Sequence, residues 1–207
     1  MKQRPTLVSY ALVGVVLPLI IASCRPASTS TTGSGPAIPS SATLKPDALY
    51  DAKATINYGG TVVNVKLERQ AENDLVKFVL WSYGQALETE TYRSTPDAFS
   101  LVAIDEQFDP PLDLLRFPMH LGDSWEWQGN LTTGAVVHHA TATVKTAADQ
   151  LFLQKSAGIE TVKSEVTLQI DSGSPNPAVR VLKFWFTRGR GIVKRELPAM
   201  TREPAVP

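Results

Sequence analysis

Between residues 47 and 198 apolar and polar positions alternate in short runs broken by turn residues, the pattern of antiparallel strands with one buried face. No long stripe at helical spacing interrupts them. Residues 50–58 read as a first strand, and Gly59-Gly60 supplies a tight hairpin turn. Val63, Val65 and Leu67 then alternate with Asn64, Lys66 and Glu68. Residues 75–83 are apolar enough for both faces to be covered; Gly84 turns the chain into 86–92, and 98–104 follows Pro96-Asp97. Asp109-Pro110-Pro111 is expected to break the ladder, because prolines remove backbone donors. Residues 112–115 fit a strand or a helical turn equally well. Strands at 136–144 and 158–170 flank an expected turn near 147–149. Residues 179–187 and 192–196 form a closing hairpin through Gly189 and Gly191. The stretch 199–207 reads as a flexible tail.

The beginning of the chain follows a different pattern. Lys2 and Arg4 precede an apolar run over residues 7–21, which matches the charged and hydrophobic regions of a secretory signal and is too short to span a bilayer. Ile21-Ala22-Ser23-Cys24 resembles the lipobox of bacterial lipoproteins, in which the cysteine is acylated and the chain is cut before it. The resemblance implies a signal peptide over 1–23 and a lipid anchor on Cys24, durable where two or more acyl chains are attached. Residues 24–46 are rich in Ser, Thr, Pro, Gly and Ala and cannot bury enough apolar surface to fold, so they read as a disordered tether. A single antiparallel β domain over 47–198 remains.

Composition narrows the function classes. Removal of Lys2 and Arg4 with the leader leaves 18 basic residues against 20 acidic, which offers no electrostatic footprint for nucleic acid. Cys24 is the only cysteine. Internal disulfides, cysteine zinc sites and a cysteine nucleophile within the domain are therefore excluded.

Three runs resemble a recurrent group of exported bacterial β-rich domains of unknown function, many of them lipoproteins: Pro118-Met119-His120-Leu121-Gly122-Asp123-Ser124-Trp125, Ala157-Gly158-Ile159-Glu160-Thr161-Val162-Lys163, and Trp185-Phe186-Thr187-Arg188-Gly189-Arg190-Gly191-Ile192-Val193-Lys194. Met119 and Arg190 depart from the group's usual residues. The resemblance implies a single curved antiparallel sheet, a half-barrel or open barrel like those of lipoprotein carriers, and brings no catalytic residues with it.

Candidate chemistry is sparse. Trp125 and Trp127 share one strand face at two-residue spacing. They make either a core plate, which is the commoner fate of paired aromatics, or, with Trp185 and Phe186, a platform for an apolar ligand. His120, His138 and His139 are the only histidines; the last two point to opposite faces of a regular strand and cannot both hold one ion, and no cofactor or metal site is expected. Ser124, His138 and Asp123 could be drawn as a triad, but no Gly-x-Ser-x-Gly elbow supports it. Glu88 and Glu90 lie on one face and read as solvated edge residues rather than a glycosidic carboxylate pair. Gly189-Arg190-Gly191 lacks the following helix of a phosphate-binding loop.

The expected function is a lipid-anchored module of the bacterial cell envelope, on the non-cytoplasmic side of a membrane, that binds an apolar ligand or a protein partner without catalysis. An envelope hydrolase or metal-dependent enzyme, and a structural envelope component, are the alternatives.

Overall fold

The computed structural model describes residues 31–33, 53–151, 158–173 and 175–204. The leader, Cys24 and the tether apart from residues 31–33 lie outside these. Twelve strands follow in order: β1 (Lys53–Tyr58), β2 (Thr61–Glu72), β3 (Leu75–Ser82), β4 (Gln85–Ser94), β5 (Ala98–Ile104), β6 (Glu106–Arg116), β7 (Ser124–Thr133), β8 (Val136–Leu151), β9 (Ile159–Ile170), β10 (Ala178–Thr187), β11 (Gly191–Leu197) and β12 (Met200–Pro204). Each pairs antiparallel with its sequence neighbours, and β12 returns to β1 with Ile56 opposite Arg202. The result is a closed up-and-down barrel.

The all-β, antiparallel reading therefore holds, while the half-barrel or open barrel is corrected to a closed one. A single strand makes the difference. The stretch 199–207, expected to fray, supplies β12, which fills the gap between β11 and β1. The turn expected near 147–149 is likewise absent, because β8 runs on to Leu151 with Ala147 paired to Lys163.

Pro110 and Pro111 do not end β6, but they shape its seam with β7. Backbone pairing between the two covers Gln107 to Asp109 and stops at the prolines, where donors are missing. Beyond them β6 continues against β5, from Leu112 opposite Leu101 to Arg116 opposite Ala98. Side chains close the seam instead: the Trp127 indole N–H donates to the Pro110 carbonyl at 3.0 Å and that of Trp125 to the Asp113 carbonyl at 3.1 Å. Gly129 keeps the approach open, since a Cβ there would sit 2.5 Å from the Asp109 carbonyl oxygen.

The edge of β7 left unpaired by β6 is taken by part of the expected tether. Thr31 forms an antiparallel bridge with Ser124, through N–H to carbonyl bonds of 2.8 and 2.9 Å. Asp123 latches this strap: one carboxylate oxygen accepts the Gly33 N–H at 2.6 Å and the other the His120 N–H at 2.7 Å. Any side chain at position 33 would collide with the Leu121 carbonyl. Residues 31–33 are thus docked rather than disordered, because Gly33 and Thr31 meet a built receptor.

Twelve strands joined in sequence have six hairpins at one end and five at the other. The first set comprises the β1–β2, β3–β4, β5–β6, β7–β8, β9–β10 and β11–β12 turns and is called the mouth; the strap docks at the opposite end. Inward positions are mostly apolar and outward ones mostly polar, the inverse of a transmembrane barrel. Toward the strap end the interior is plugged by aromatic rings, Phe78 to Tyr92 at 5.9 Å, Tyr92 stacked on Phe99 at 5.2 Å, and Phe99 to Phe186 at 5.8 Å. Such ring pairs add to area burial.

Candidate functional site

At the mouth the aromatic filling gives way to a cavity of about 380 Å³. Leu101, Ile104, Phe108, Leu168, Leu182 and Met200 line it, contributed by the five strands β5, β6, β9, β10 and β12 and each an inward position. Tyr58, Asp105, Glu106, Thr133 and Arg180 stand among the lining residues as its polar members. Arg180 is committed to Glu106, donating to both carboxylate oxygens at 2.9 and 2.8 Å. Asp105 forms the β5–β6 turn with a left-handed φ of 54°, which Asp tolerates better than most residues. The volume and the apolar lining with a few convergent polar groups are those of a small-ligand site.

Between cavity and aromatic plug lies a buried ion cluster. Glu88, Glu90 and Tyr92 point inward from β4 at two-residue spacing, facing Arg195 of β11 and Arg202 of β12. Arg195 donates from Nε to Glu90 at 2.8 Å and from its other nitrogen to Glu88; Arg202 donates to both oxygens of Glu90 at 2.8 and 3.0 Å. The Tyr92 hydroxyl donates to Glu90 at 2.7 Å. Met200 joins cluster to cavity, since its sulfur meets Arg195 at 3.6 Å and its side chain lines the mouth.

Partner number separates the two carboxylates. Burial pushes Glu90 up, but the Arg195 and Arg202 guanidiniums and the Tyr92 hydroxyl outweigh it and bring the group down to about 2. Glu88 shares only Arg195, and burial dominates, raising it to about 7. One oxygen of Glu88 and one terminal nitrogen of Arg195 have no hydrogen-bond partner. Tyr58 at the mouth is raised first by burial and then by the nearby Glu88 charge.

This cluster overturns the reading of Glu88 and Glu90 as solvated edge residues: they are 6% and 0% exposed. Their partner was hidden by a bulge. On β11, Trp185 pairs with Lys194 and Phe186 with Ile192, so Val193 is an unpaired extra residue. That insertion shifts the two-residue parity and turns Arg195 inward. An inward Ile192 and an inward Arg195, three positions apart, cannot share a face in a regular strand.

The proposed aromatic platform is also corrected. Trp125, Trp127, Trp185 and Phe186 are all buried, and none lines the mouth cavity. Trp125 and Trp127 are held inward by the seam bonds described above. Phe186 closes the aromatic plug and touches only the open groove at the strap end, beside Thr161 and Arg188. Trp185 faces the outer side with Leu151 and Val193, its indole N–H bound to Asp149 at 2.8 Å. That bond is the first cause of a lowered Asp149 carboxyl.

The histidines do not assemble. His120 lies in the turn beside Asp123 at the strap end, with 3.7 Å between ring nitrogen and carboxylate. His138 lies opposite Leu131, seven residues along β7 from Ser124 and hence about 23 Å away along the strand. The Ser124, His138 and Asp123 triad is therefore not formed. His139 faces Gln128 at 3.0 Å. Among the described residues no three His, Cys, Asp or Glu side chains are grouped as a metal would require.

No protein-family model matches the chain, and no curated protein matches it. Among solved structures, a Bacteroides fragilis protein described as exported, with a YmcC-like fold, is similar at 10% identity and a TM-score of 0.43, over 74% of this chain and 94% of that one. A second, the lipoprotein YmcC of Escherichia coli, described as hypothetical, is similar at 10% identity and a TM-score of 0.38, over 78% of this chain and 91% of that one. Likeness at this level bears on neither ligand nor activity.

Proposed function

We propose that this protein is a lipid-anchored module of the bacterial cell envelope that holds a small apolar ligand, without catalysis, in the mouth of its barrel. The observation that carries the binding half is the cavity: about 380 Å³ walled by six inward apolar side chains, with the buried Glu88, Glu90, Arg195 and Arg202 cluster and the aromatic plug deeper in the barrel. The anchoring half rests on Ile21-Ala22-Ser23-Cys24 behind an apolar leader. Burial of apolar ligand surface against these walls yields about 25 cal/mol per Å², while Tyr58 and Asp105 at the same mouth orient a polar end.

The test is displacement of an environment-sensitive naphthylamine dye by alkyl compounds of graded length, with mass spectrometry of what co-purifies. Leu182→Trp fills the cavity and is expected to lower dye affinity at least tenfold with the fold retained by circular dichroism. Unchanged dye binding in that variant sinks the proposal. An unmodified Cys24 thiol in protein recovered from cells sinks its anchoring half.

A further inference from the structure

The mouth end of the barrel carries a second apolar feature. Eight large hydrophobic side chains are exposed among the described residues: Tyr58, Val62, Tyr83, Leu87, Val136, Val137, Val179 and Val181. Every one lies within four residues of a mouth-end hairpin. Tyr58 and Val62 flank the β1–β2 turn, Tyr83 and Leu87 belong to the β3–β4 turn and the strand after it, Val136 and Val137 begin β8, and Val179 and Val181 begin β10. The strap end shows none among the described residues. Scattered exposed hydrophobics need no explanation, but a set confined to one end of a molecule marks an interaction surface.

The shape of the set identifies what covers it. The side chains are distributed over four of the six mouth hairpins, so they ring the cavity opening rather than form a patch on one flank. Tyr83, wholly exposed at a hairpin tip, is the amphipathic type that settles at a water–lipid boundary. Among the described residues the rim adds no cationic cluster, since Arg180 is paired with Glu106 and Asp105 is acidic. A ring of this composition suits a broad, soft apolar phase entered end-on.

The strap sets the direction. It docks at the end opposite the mouth, and Cys24 precedes Thr31 by seven residues, which reach about 25 Å at full extension. That is no more than the height of the β7 wall, ten residues long and tilted as barrel strands are. With the segment at anything less than full extension, the ring faces away from the membrane that an acylated Cys24 would enter.

We propose that the mouth end docks on the surface of a second phospholipid bilayer, facing the one that anchors the chain, with the apolar ring entering the interface and the cavity opening onto it. The direction of docking rests on the anchor reading above. The docking itself rests on the ring and does not require the cavity to be filled.

The test uses the chain from residue 24 onward in two forms. The Cys24→Ser form, which has neither acyl group nor apolar leader, is floated with phosphatidylcholine vesicles; it is expected to rise with them, and equally well at low and high salt. Replacing Val62, Val137, Val179 and Val181 together by Thr keeps strand propensity and is expected to reduce floated protein at least tenfold. Leu182→Trp is expected to float normally while losing dye binding, which separates this inference from the cavity reading. A Cys24→Ser chain that stays in the aqueous fraction, or a fourfold variant that floats undiminished, overturns the docking. The acylated chain on one vesicle population is expected to cluster a second, unlabelled population as measured by light scattering. Absence of clustering, with flotation intact, overturns the facing-bilayer assignment.

Discussion

Two carboxylates two residues apart have opposite ionisation behaviour, and the difference is a matter of partners. Glu90 lies between two guanidiniums and a phenol, whereas Glu88 has a share of one guanidinium and an oxygen with no partner. The consequence for stability follows from linkage. Glu88, raised from 4.5 to about 7, binds its proton more tightly in the folded state. Its contribution is therefore most favourable below about pH 4.5 and is lost as pH rises toward 7, on the order of 3 kcal/mol across that window. Glu90, lowered to about 2, acts in the other direction and outside that window, since its stabilisation is complete above 4.5 and is lost as pH falls through 2. Glu88→Gln is expected to abolish the cluster's decline in thermal midpoint between pH 4.5 and 7; a slope equal to that of the unmodified protein would refute this assignment.

Among the elements, β7 shows how a strand can be flanked without a full ladder. One end pairs with β6, and the other is bordered by two indole N–H bonds and by Thr31 from the chain's beginning. The latch for that strap is Asp123. Asp123→Ala removes the acceptor of the Gly33 and His120 amides, and a lost acceptor of this kind costs about 1–3 kcal/mol. The expected result is faster proteolytic cleavage near residue 33 while the barrel stays intact; cleavage at the original rate would show that the strand bridge alone holds the strap. Much of this level was legible in the sequence. The strands at 98–104, 158–170 and 179–187 lie within a residue of β5, β9 and β10, because alternation and turn glycines are local signals. The strap was not legible, since Thr31 and Gly33 look like any other linker residues until Leu121 and Asp123 are brought against them. The same holds for the inward turn of Arg195, which depends on a bulge at Val193 that period-two reading assumes away.

For the whole molecule, closure depends on five residues near the end of the chain. Met200–Pro204 carry little apolar alternation of their own and follow Pro198, so their pairing depends on β1 and β11 being already in place. Arg202 is the exception that gives them value, because it brings the second guanidinium to Glu90. Ending the chain after Pro198 is expected to open the barrel, expose the β1 and β11 edges and leave Glu90 with one cation instead of two. Loss of a buried partner of this kind costs about 3–5 kcal/mol, a large share of the stability of an ordinary domain. Light scattering and thermal unfolding would register it as association and a lowered midpoint, and a monomeric truncated chain of unchanged midpoint would contradict the account. The candidate site was less legible than the fold for the same reason. Its six apolar wall residues come from five separate strands, and the cavity they enclose is a property of closure that no single run of residues carries.

The closing pair has a consequence in time. A chain is delivered from its beginning, so β1 and β2 are available long before β12 exists, and the β1–β12 contact joins residues about 145 positions apart, at the slow extreme of contact separation for barrels. Until Met200 to Pro204 arrive, β1 presents an unsatisfied row of backbone donors and acceptors, the kind of edge that recruits other strands. The earliest part of the domain to emerge must therefore wait for the last, and that interval is when the protein is most exposed to self-association and most dependent on whatever escorts unfolded chains where it is delivered.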